Sequence, residues 1–263
     1  MKYGWIGLGN MTTAIIKGML HSNKYDKASQ YGFNRTFEKT VKLQQELGIV
    51  ACEDLSELLD CDVIVIGVQP QHMDDLLPKL KGQLNAQQVV VSIAAGKSLN
   101  TLQQAINHDR IIRIMPNINA IAGASTSGMV STDQVTLDQK EAVKSMFNAV
   151  GKVFEIPEEQ FDLFSAIAGA SPAFSYLYID SLARAAVMEG MDKKTALDIA
   201  SHAVLGSAQM IQTVDEHPWE LVDQVCSPGG TTIQGVTSLQ NNHFASTIYD
   251  AVKAVIERDR VLK

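Results

Sequence analysis

Cysteine is scarce in this chain, and fixed patterns of metal ligands are missing. The three cysteines, Cys52, Cys61 and Cys226, form no CxxC pair, and the six histidines show no HExxH-type spacing. No metal site is therefore expected. A sparse, odd cysteine count fits a reducing compartment and structural thiols. Basic charge is in deficit: 22 Lys and Arg stand against 29 Asp and Glu, a net charge of −7. That excludes a dedicated nucleic-acid binder, which would carry a basic stripe. No apolar run is long enough to span a bilayer. The apolar start after Lys2 is interrupted by Gly7, Asn10 and Thr12-Thr13 with no cleavage site behind it, so a cytoplasmic protein is expected. One further absence concerns chemistry. No lysine lies between Lys152 and Lys193, and no histidine between His108 and His202. The middle of the chain thus lacks an obvious general base. Oxidising an alcohol needs a group to take the hydroxyl proton, whereas a protonated imine is already electrophilic and chiefly needs positioning.

With 263 residues, 46% of them hydrophobic, the chain has room for one large or two ordinary domains. The first part alternates strand and helix signals. Residues 2–6 suit a buried strand, 29–33 a second and 49–51 a third. Asp62–Val68 is a continuous β-branched run, as in a parallel strand buried on both faces. Val89–Ile93 and Arg110–Met115 read as further strands, and helices are expected near 10–19, 38–47, 99–106 and 137–150. This rhythm predicts an α/β fold with an N-terminal Rossmann-type, doubly wound parallel sheet. Gly123–Ser131 and Lys152–Ile156 complete it, and Pro157 marks the boundary between a first domain, 1–157, and a second, 158–263.

The second domain reads as helical throughout. Gly169-Ala170-Ser171-Pro172 is expected to break one helix and start the next. Residues 173–188 are apolar nearly all round, which predicts burial on every side and hence a partner subunit. Lys193–Thr213 carries a stripe of Ala196, Ile199, Ala200, Ala203, Val204, Ser207, Ala208 and Ile211. Pro218–Val225 and Phe244–Leu262 are further helices.

Four groups of residues carry chemistry. Gly7-x-Gly9-x-x-Thr12 lies between the first strand and the first helix, where glycines admit a tight turn and a pyrophosphate at the helix N-terminus. Gly7, Leu8, Gly9, Asn10 and Met11 are its candidate cofactor contacts, and Thr12 stands where Gly or Ala is usual. Asn34-Arg35-Thr36 ends the second strand, where an NAD-specific fold would place an acidic residue. An arginine fork there matches a 2′-phosphate, so NADPH is preferred, with NADH the weaker cofactor; a solvated turn arginine is the alternative. Val68, Gln69 and Pro70, and Ala94, Ala95 and Gly96, follow later strands, where such folds bind ligands, with room for a nicotinamide ring at the small residues; taken alone they read as ordinary turns. Last, Ser227-Pro228-Gly229-Gly230-Thr231-Thr232 is a glycine turn that opens a helix. It reads as a receptor for a small anion such as a carboxylate, or as an ordinary turn between helices.

These segments together resemble the pyrroline-5-carboxylate reductase family over nearly the whole chain. The resemblance rests on Ile6-Gly7-Leu8-Gly9-Asn10-Met11, Asn34-Arg35-Thr36, Val68-Gln69-Pro70-Gln71, Ser92-Ile93-Ala94-Ala95-Gly96, Arg113-Ile114-Met115-Pro116-Asn117, Ser171-Pro172-Ala173-Phe174 and, most specifically, Ser227–Thr232. It implies an NADPH-dependent imine reduction that completes proline synthesis, with a Rossmann domain followed by an all-α dimerisation domain. It also implies a homodimer through that helical domain, in some members assembled into a ring of dimers. Ser227, Gly229, Gly230, Thr231 and Thr232 would hold the substrate carboxylate, Asn117 would line the substrate site, and Thr232 would be the catalytic hydroxyl on the ring nitrogen. The chain departs from the family pattern at Gln69, where Lys is usual, at Ile118-Asn119, where Thr-Pro is usual, and at Cys226, where Thr or Ser is usual. These departures keep a non-catalytic or altered-substrate NADP(H)-binding paralogue as one alternative. A hydroxyacid dehydrogenase of similar architecture is another.

Overall fold

The computed structural model describes residues 1–94 and 96–262. They form two compact units, Met1–Gly169 together with the chain end from Asp259, and Ala170–Arg258.

The first unit is built on an eight-stranded sheet: β1 (Tyr3–Ile6), β2 (Gln30–Phe33), β3 (Val50–Cys52), β4 (Val63–Ile66), β5 (Val89–Ser92), β6 (Ile111–Met115), β7 (Ser125–Ser131) and β8 (Gly151–Glu155). The strand order is β3-β2-β1-β4-β5-β6-β7-β8. The order reverses between β1 and β4, and folds of this kind bind ligands beyond the carboxyl ends of the strands at such a reversal. One pairing departs from the parallel pattern: β6 and β7 run antiparallel. Only a short 3-10 turn, Ile118–Ala122, lies between them, too little chain for a parallel crossover.

Strand residues alternate between two cores, as the two-residue period requires. Val63 and Val65 of β4 face a core shared with Trp5, Val91 and Ile112. Helix α1 (Asn10–His21) adds Ile15, Ile16 and Met19 to it, and α5 (Leu137–Asn148) adds Val143, Met146 and Phe147. Ile64 and Ile66 face the opposite core, closed by Leu76, Leu77 and Leu80 of α3 (Met73–Leu80) and by Leu102 and Ile106 of α4 (Leu99–Ile106). Helix α2 (Phe37–Leu47) ends on Gly48 in the left-handed region, φ 74°. The indole N–H of Trp5 donates to Gln30 Oε1 at 2.9 Å, so the largest core side chain leaves no buried donor unpaired. Helix α3 had no clear periodic signal, since it is short and Pro78 lies inside it.

The chain does not leave the helical conformation at Gly169-Ala170-Ser171-Pro172, contrary to the expected break. A short α6 (Phe161–Phe164) passes into a π-helical stretch, Ser165–Ala170, and then into α7 (Ser171–Met188). The wider π turn absorbs the small residues, and Pro172 sits in the first turn of α7, where its missing N–H costs nothing.

In the second unit α7 packs on α8 (Lys193–Thr213) through a small core of Ala183, Ala196 and Ala200, flanked by Ile179 and Ala186. Then follow α9 (Pro218–Val225), α10 (Thr231–Asn241) and α11 (Phe244–Leu262). The burial expected for residues 173–188 is not provided within one copy of the chain. In that span Ala183 alone is buried, while Leu177 is 68% exposed and Met188 85%. Of the α8 stripe only Ala196 and Ala200 are buried, and Ile199 is 53% exposed. Three alanines supply little of the 1.5–3 kcal/mol, roughly, that each fully buried large apolar side chain contributes. Among the described residues no helix is long and apolar enough to cross a membrane, and no group of His, Cys, Asp or Glu could hold a metal ion.

Candidate active site

The residues read as cofactor contacts gather in the first unit at the carboxyl ends of β1, β2, β4 and β5. Gly7 follows β1 with φ +88°, and a Cβ there would lie 2.8 Å from Val68 Cγ1. Only glycine fits both the conformation and the space. Its N–H donates to Phe33 O at 2.9 Å, while Gly67 N donates to Ile6 O at 2.8 Å, so the ends of β1, β2 and β4 are tied together. Gly9 differs: it is exposed, and a Cβ there would meet nothing within 4 Å. Its hydrogen leaves the approach to the loop backbone open rather than relieving a clash within the protein.

Gly9 is the N-cap of α1. No side chain bonds that helix start and no acidic residue stands in its first turn. By contrast α4, α5, α8 and α9 are capped by the side chains of Ser98, Thr136, Asp192 and His217. An uncapped N-terminus with free N–H groups and a positive dipole end favours an anion. Asn34 extends the loop's support: its Oδ1 accepts from Leu8 N at 3.3 Å and its Nδ2 donates to Thr36 O at 3.2 Å. Beside it Arg35 and Thr36 are exposed. Asn10 is also exposed, and Leu8 and Met11 are half-buried against the core.

After β4, Val68 packs against the core, and Gln69 and Pro70 are exposed. Gln69 Oε1 accepts from Gln71 Nε2 at 2.7 Å. After β5, Ala94 is buried and Gly96 is exposed with φ +84°; Ala95 lies outside the described residues. The geometry therefore fits a dinucleotide: an open glycine, an uncapped helix and an exposed guanidinium stand along one edge of a parallel sheet.

Asn117, expected at the substrate, is buried and already engaged. Its Nδ2 donates to Ala168 O at 2.8 Å, its Oδ1 accepts from Thr126 N at 3.3 Å, and its own N–H donates to Ser125 Oγ at 3.2 Å. It holds the π-helical stretch against the start of β7.

Ser227, Gly229, Gly230, Thr231 and Thr232 belong to the second unit. Gly230 N donates to Ser227 O at 2.9 Å, closing a turn with Pro228 first and Gly229 second at φ +70°. That is the arrangement of a type II turn, whose second central position needs a positive φ. A Cβ on Gly230 would strike Ser227 Oγ. Gly230 is the N-cap of α10, again without a side-chain cap or an acidic residue in the first turn. Ser227, Thr231 and Thr232 are exposed around it. The helix begins at Thr231, so both hydroxyls stand in its first turn.

Two relationships had no signal in the spacing of residues. Thr12 is buried against Gly67, where a Cβ would run into its Oγ1. Arg113 is buried and ion-paired to Glu158 at 3.1 Å. An arginine within an apolar strand is the only hint of the second.

A model of the pyrroline-5-carboxylate reductase dimerisation family matches residues 158–262, and one described as NADP oxidoreductase, coenzyme F420-dependent, matches residues 2–96. The pyrroline-5-carboxylate reductase of Methanosarcina acetivorans is 35% identical, over 99% of this chain and 97% of its own. That of Escherichia coli is 35% identical over 99% and 98%. A pyrroline-5-carboxylate reductase structure from Coxiella burnetii superimposes with a TM-score of 0.94 at 29% identity, covering 100% of this chain and 98% of its own. One from Plasmodium falciparum, solved with NADP bound, does so at 0.87 and 29%, covering 99% and 97%. Dinucleotide-type loop, helical unit and full-length likeness agree: the chain belongs to the pyrroline-5-carboxylate reductase family of NAD(P)-dependent oxidoreductases.

Proposed function

We propose that this chain reduces the C=N bond of 1-pyrroline-5-carboxylate to give L-proline, with NADPH as the preferred reductant and NADH as a weaker one. The observation that carries it is the Ser227–Gly230 turn, which leaves the start of α10 uncapped and free of acidic residues, with two hydroxyls beside it. Such a site suits the substrate carboxylate.

NADPH, when bound, supplies the hydride. Gly7, Leu8, Gly9, Asn10 and Met11 hold its pyrophosphate through loop N–H groups and the α1 N-terminus. Arg35, with Asn34 and Thr36, takes the 2′-phosphate. Val68, Gln69, Pro70, Ala94, Ala95 and Gly96 complete the cofactor contacts. Closed by the Gly230 N–H to Ser227 O bond, the turn of Gly229 and Gly230 leaves the N–H groups of Thr231 and Thr232, with Ser227 Oγ, to hold the carboxylate. Thr232 Oγ1 accepts from the protonated ring nitrogen and so orients the C=N bond. Asn117, expected at the substrate, holds the π-helical stretch through Ala168. No side chain has to remove a proton, in keeping with the lack of lysine and histidine in the central stretch of the chain.

The second domain is a dimerisation domain by family. The exposed apolar faces of α7 and α8 support a homodimer through it, with a ring of dimers as a further level of assembly. The cytoplasm is the expected compartment. A steady-state assay with the cyclic imine, run with NADPH and then NADH, tests the proposal. Turnover with a higher kcat/KM for NADPH is expected. A chain that binds NADPH but reduces no imine would instead be the non-catalytic or altered-substrate paralogue.

A further inference from the structure

Arg113 has no part in the chemistry above, yet it is a charge placed in the interior. It lies on β6 with its side chain 6% exposed. Burying a guanidinium is costly unless it is paired. Its Nη1 donates to Glu158 Oε1 at 3.1 Å, and its plane lies over Phe161, with Cζ 4.2 Å from the ring centroid. Its Nε has no protein partner. The pair is therefore held but not fully satisfied, as expected of a group retained for position rather than stability.

What Glu158 does with its remaining capacity shows the direction. The same Oε1 accepts from Leu99 N at 2.8 Å. Leu99 is the first residue of α4, and the loop that precedes it carries Ala94 and Gly96 beside the cofactor edge of the sheet. Two lesser ties act on the same end of that loop. Ser98 caps α4 by accepting from Thr101 N at 3.1 Å, and Lys97 Nζ meets Asp74 Oδ1 at 2.8 Å on the surface. Of the three, the Glu158 tie alone runs to a buried charge on a strand of the sheet, and it adds to the core packing of Leu99 and Leu102.

We infer that Arg113 and Glu158 are positioning residues for the nicotinamide cofactor: the pair fixes Leu99 and, through it, the loop of Ala94 and Gly96. This rests on the proposed cofactor site. It predicts that weakening the tie loosens cofactor binding while leaving the imine site alone.

The test uses the full chain with Glu158→Ala, Glu158→Gln and Glu158→Asp. NADPH affinity is read by fluorescence without imine, with both KM values and the Tm alongside. Glu158→Ala should raise Kd and KM for NADPH about five- to tenfold and leave the imine KM, at saturating NADPH, within about twofold. Glu158→Gln keeps an oxygen for Leu99 N but gives up the charge opposite Arg113, so it should raise the Kd for NADPH less than Ala does. Glu158→Asp keeps the charge but shortens the reach; it should shift NADPH affinity in the same direction as Ala and carries the test where the Ala variant folds poorly. A lower Tm with unchanged NADPH affinity in Ala and Asp would overturn the inference, leaving a merely structural ion pair. So would a Gln variant as impaired as Ala. Because Kd is measured without imine, wild-type chain that binds NADPH and reduces nothing would sink the reductase reading alone, and the Kd comparison would still decide this one.

Discussion

Gly67 opens the space that Thr12 fills. Thr12 is buried on α1, and a Cβ added to Gly67 at the end of β4 would run into its Oγ1 and stand 3.1 Å from Gly7 O. The usual small residue at the third position of the glycine loop lets helix and strand approach. Here the smaller partner is on the strand instead. Gly67→Ala should therefore lower stability by about 1–3 kcal/mol and weaken NADPH binding, since Thr12 cannot move without moving the loop. Adding Thr12→Ala should recover most of both losses. A double-mutant cycle by thermal unfolding and NADPH titration checks this, and additive losses would refute the pairing.

Arg35 sets the cofactor preference if it meets a 2′-phosphate. Arg35→Ala should raise the KM for NADPH about tenfold or more, in line with the loss of a charge-assisted bond, and change the KM for NADH little. Parallel steady-state assays with the two cofactors read the ratio. Equal losses with both would place Arg35 outside the phosphate site.

Much of this was legible beforehand because it depends on local rules. The β-branched run at Val63–Ile66 could hardly be anything but a buried parallel strand, and Gly7 and Gly229 stand where a positive φ is required. What escaped depends on partners distant in sequence. Nothing near Thr12 points to Gly67, and nothing near Arg113 points to Glu158. The antiparallel β6–β7 pairing follows from the short connection through Ile118–Ala122, whereas the strand signals alone carry no direction. The π-helical stretch hid because glycine and proline together signal a break, whereas a wider turn accommodates both.

The buried thiols give the fold a pH limit with a definite sign. Burial pushes Cys52 up to about 11 and Cys61 up to about 12, from an ordinary 9.0. The folded state thus favours the neutral thiol. This contribution is fully present below pH 9.0 and is lost as pH rises through those values. Stability measured by urea unfolding should decline steadily above about pH 9, and more gently in a Cys52→Ala, Cys61→Ala variant. At neutral pH neither thiol should react with a disulfide reagent until the protein is unfolded.

The apolar faces of the helical unit should be covered in solution. Leu177 is 68% exposed on α7, which also exposes Tyr176 at 56% and Met188 at 85%. Sedimentation velocity should give at least twice the 28.6 kDa chain mass. Leu177→Asp, by placing a charge within that contact, should shift the protein toward single chains and lower activity. An unchanged assembly would move the interface away from this face of α7.

The turn before α10 makes the sharpest prediction, because its geometry and its proposed role can be separated. Gly229 sits at φ +70°, so Gly229→Ala should strain the turn by about 1–2 kcal/mol and spread the N–H groups that face the carboxylate. Its effect should appear as a raised imine KM, with NADPH affinity unchanged. Thr232→Ala leaves the backbone alone and removes one hydroxyl. It should lower kcat/KM for the imine about tenfold or more, again without touching NADPH binding. Thr232→Ser, which keeps the oxygen, should retain most of the activity. If Thr232→Ala leaves kcat/KM intact, the hydroxyl does not act on the ring nitrogen. If Gly229→Ala weakens NADPH binding and the imine alike, the turn supports the fold rather than the substrate.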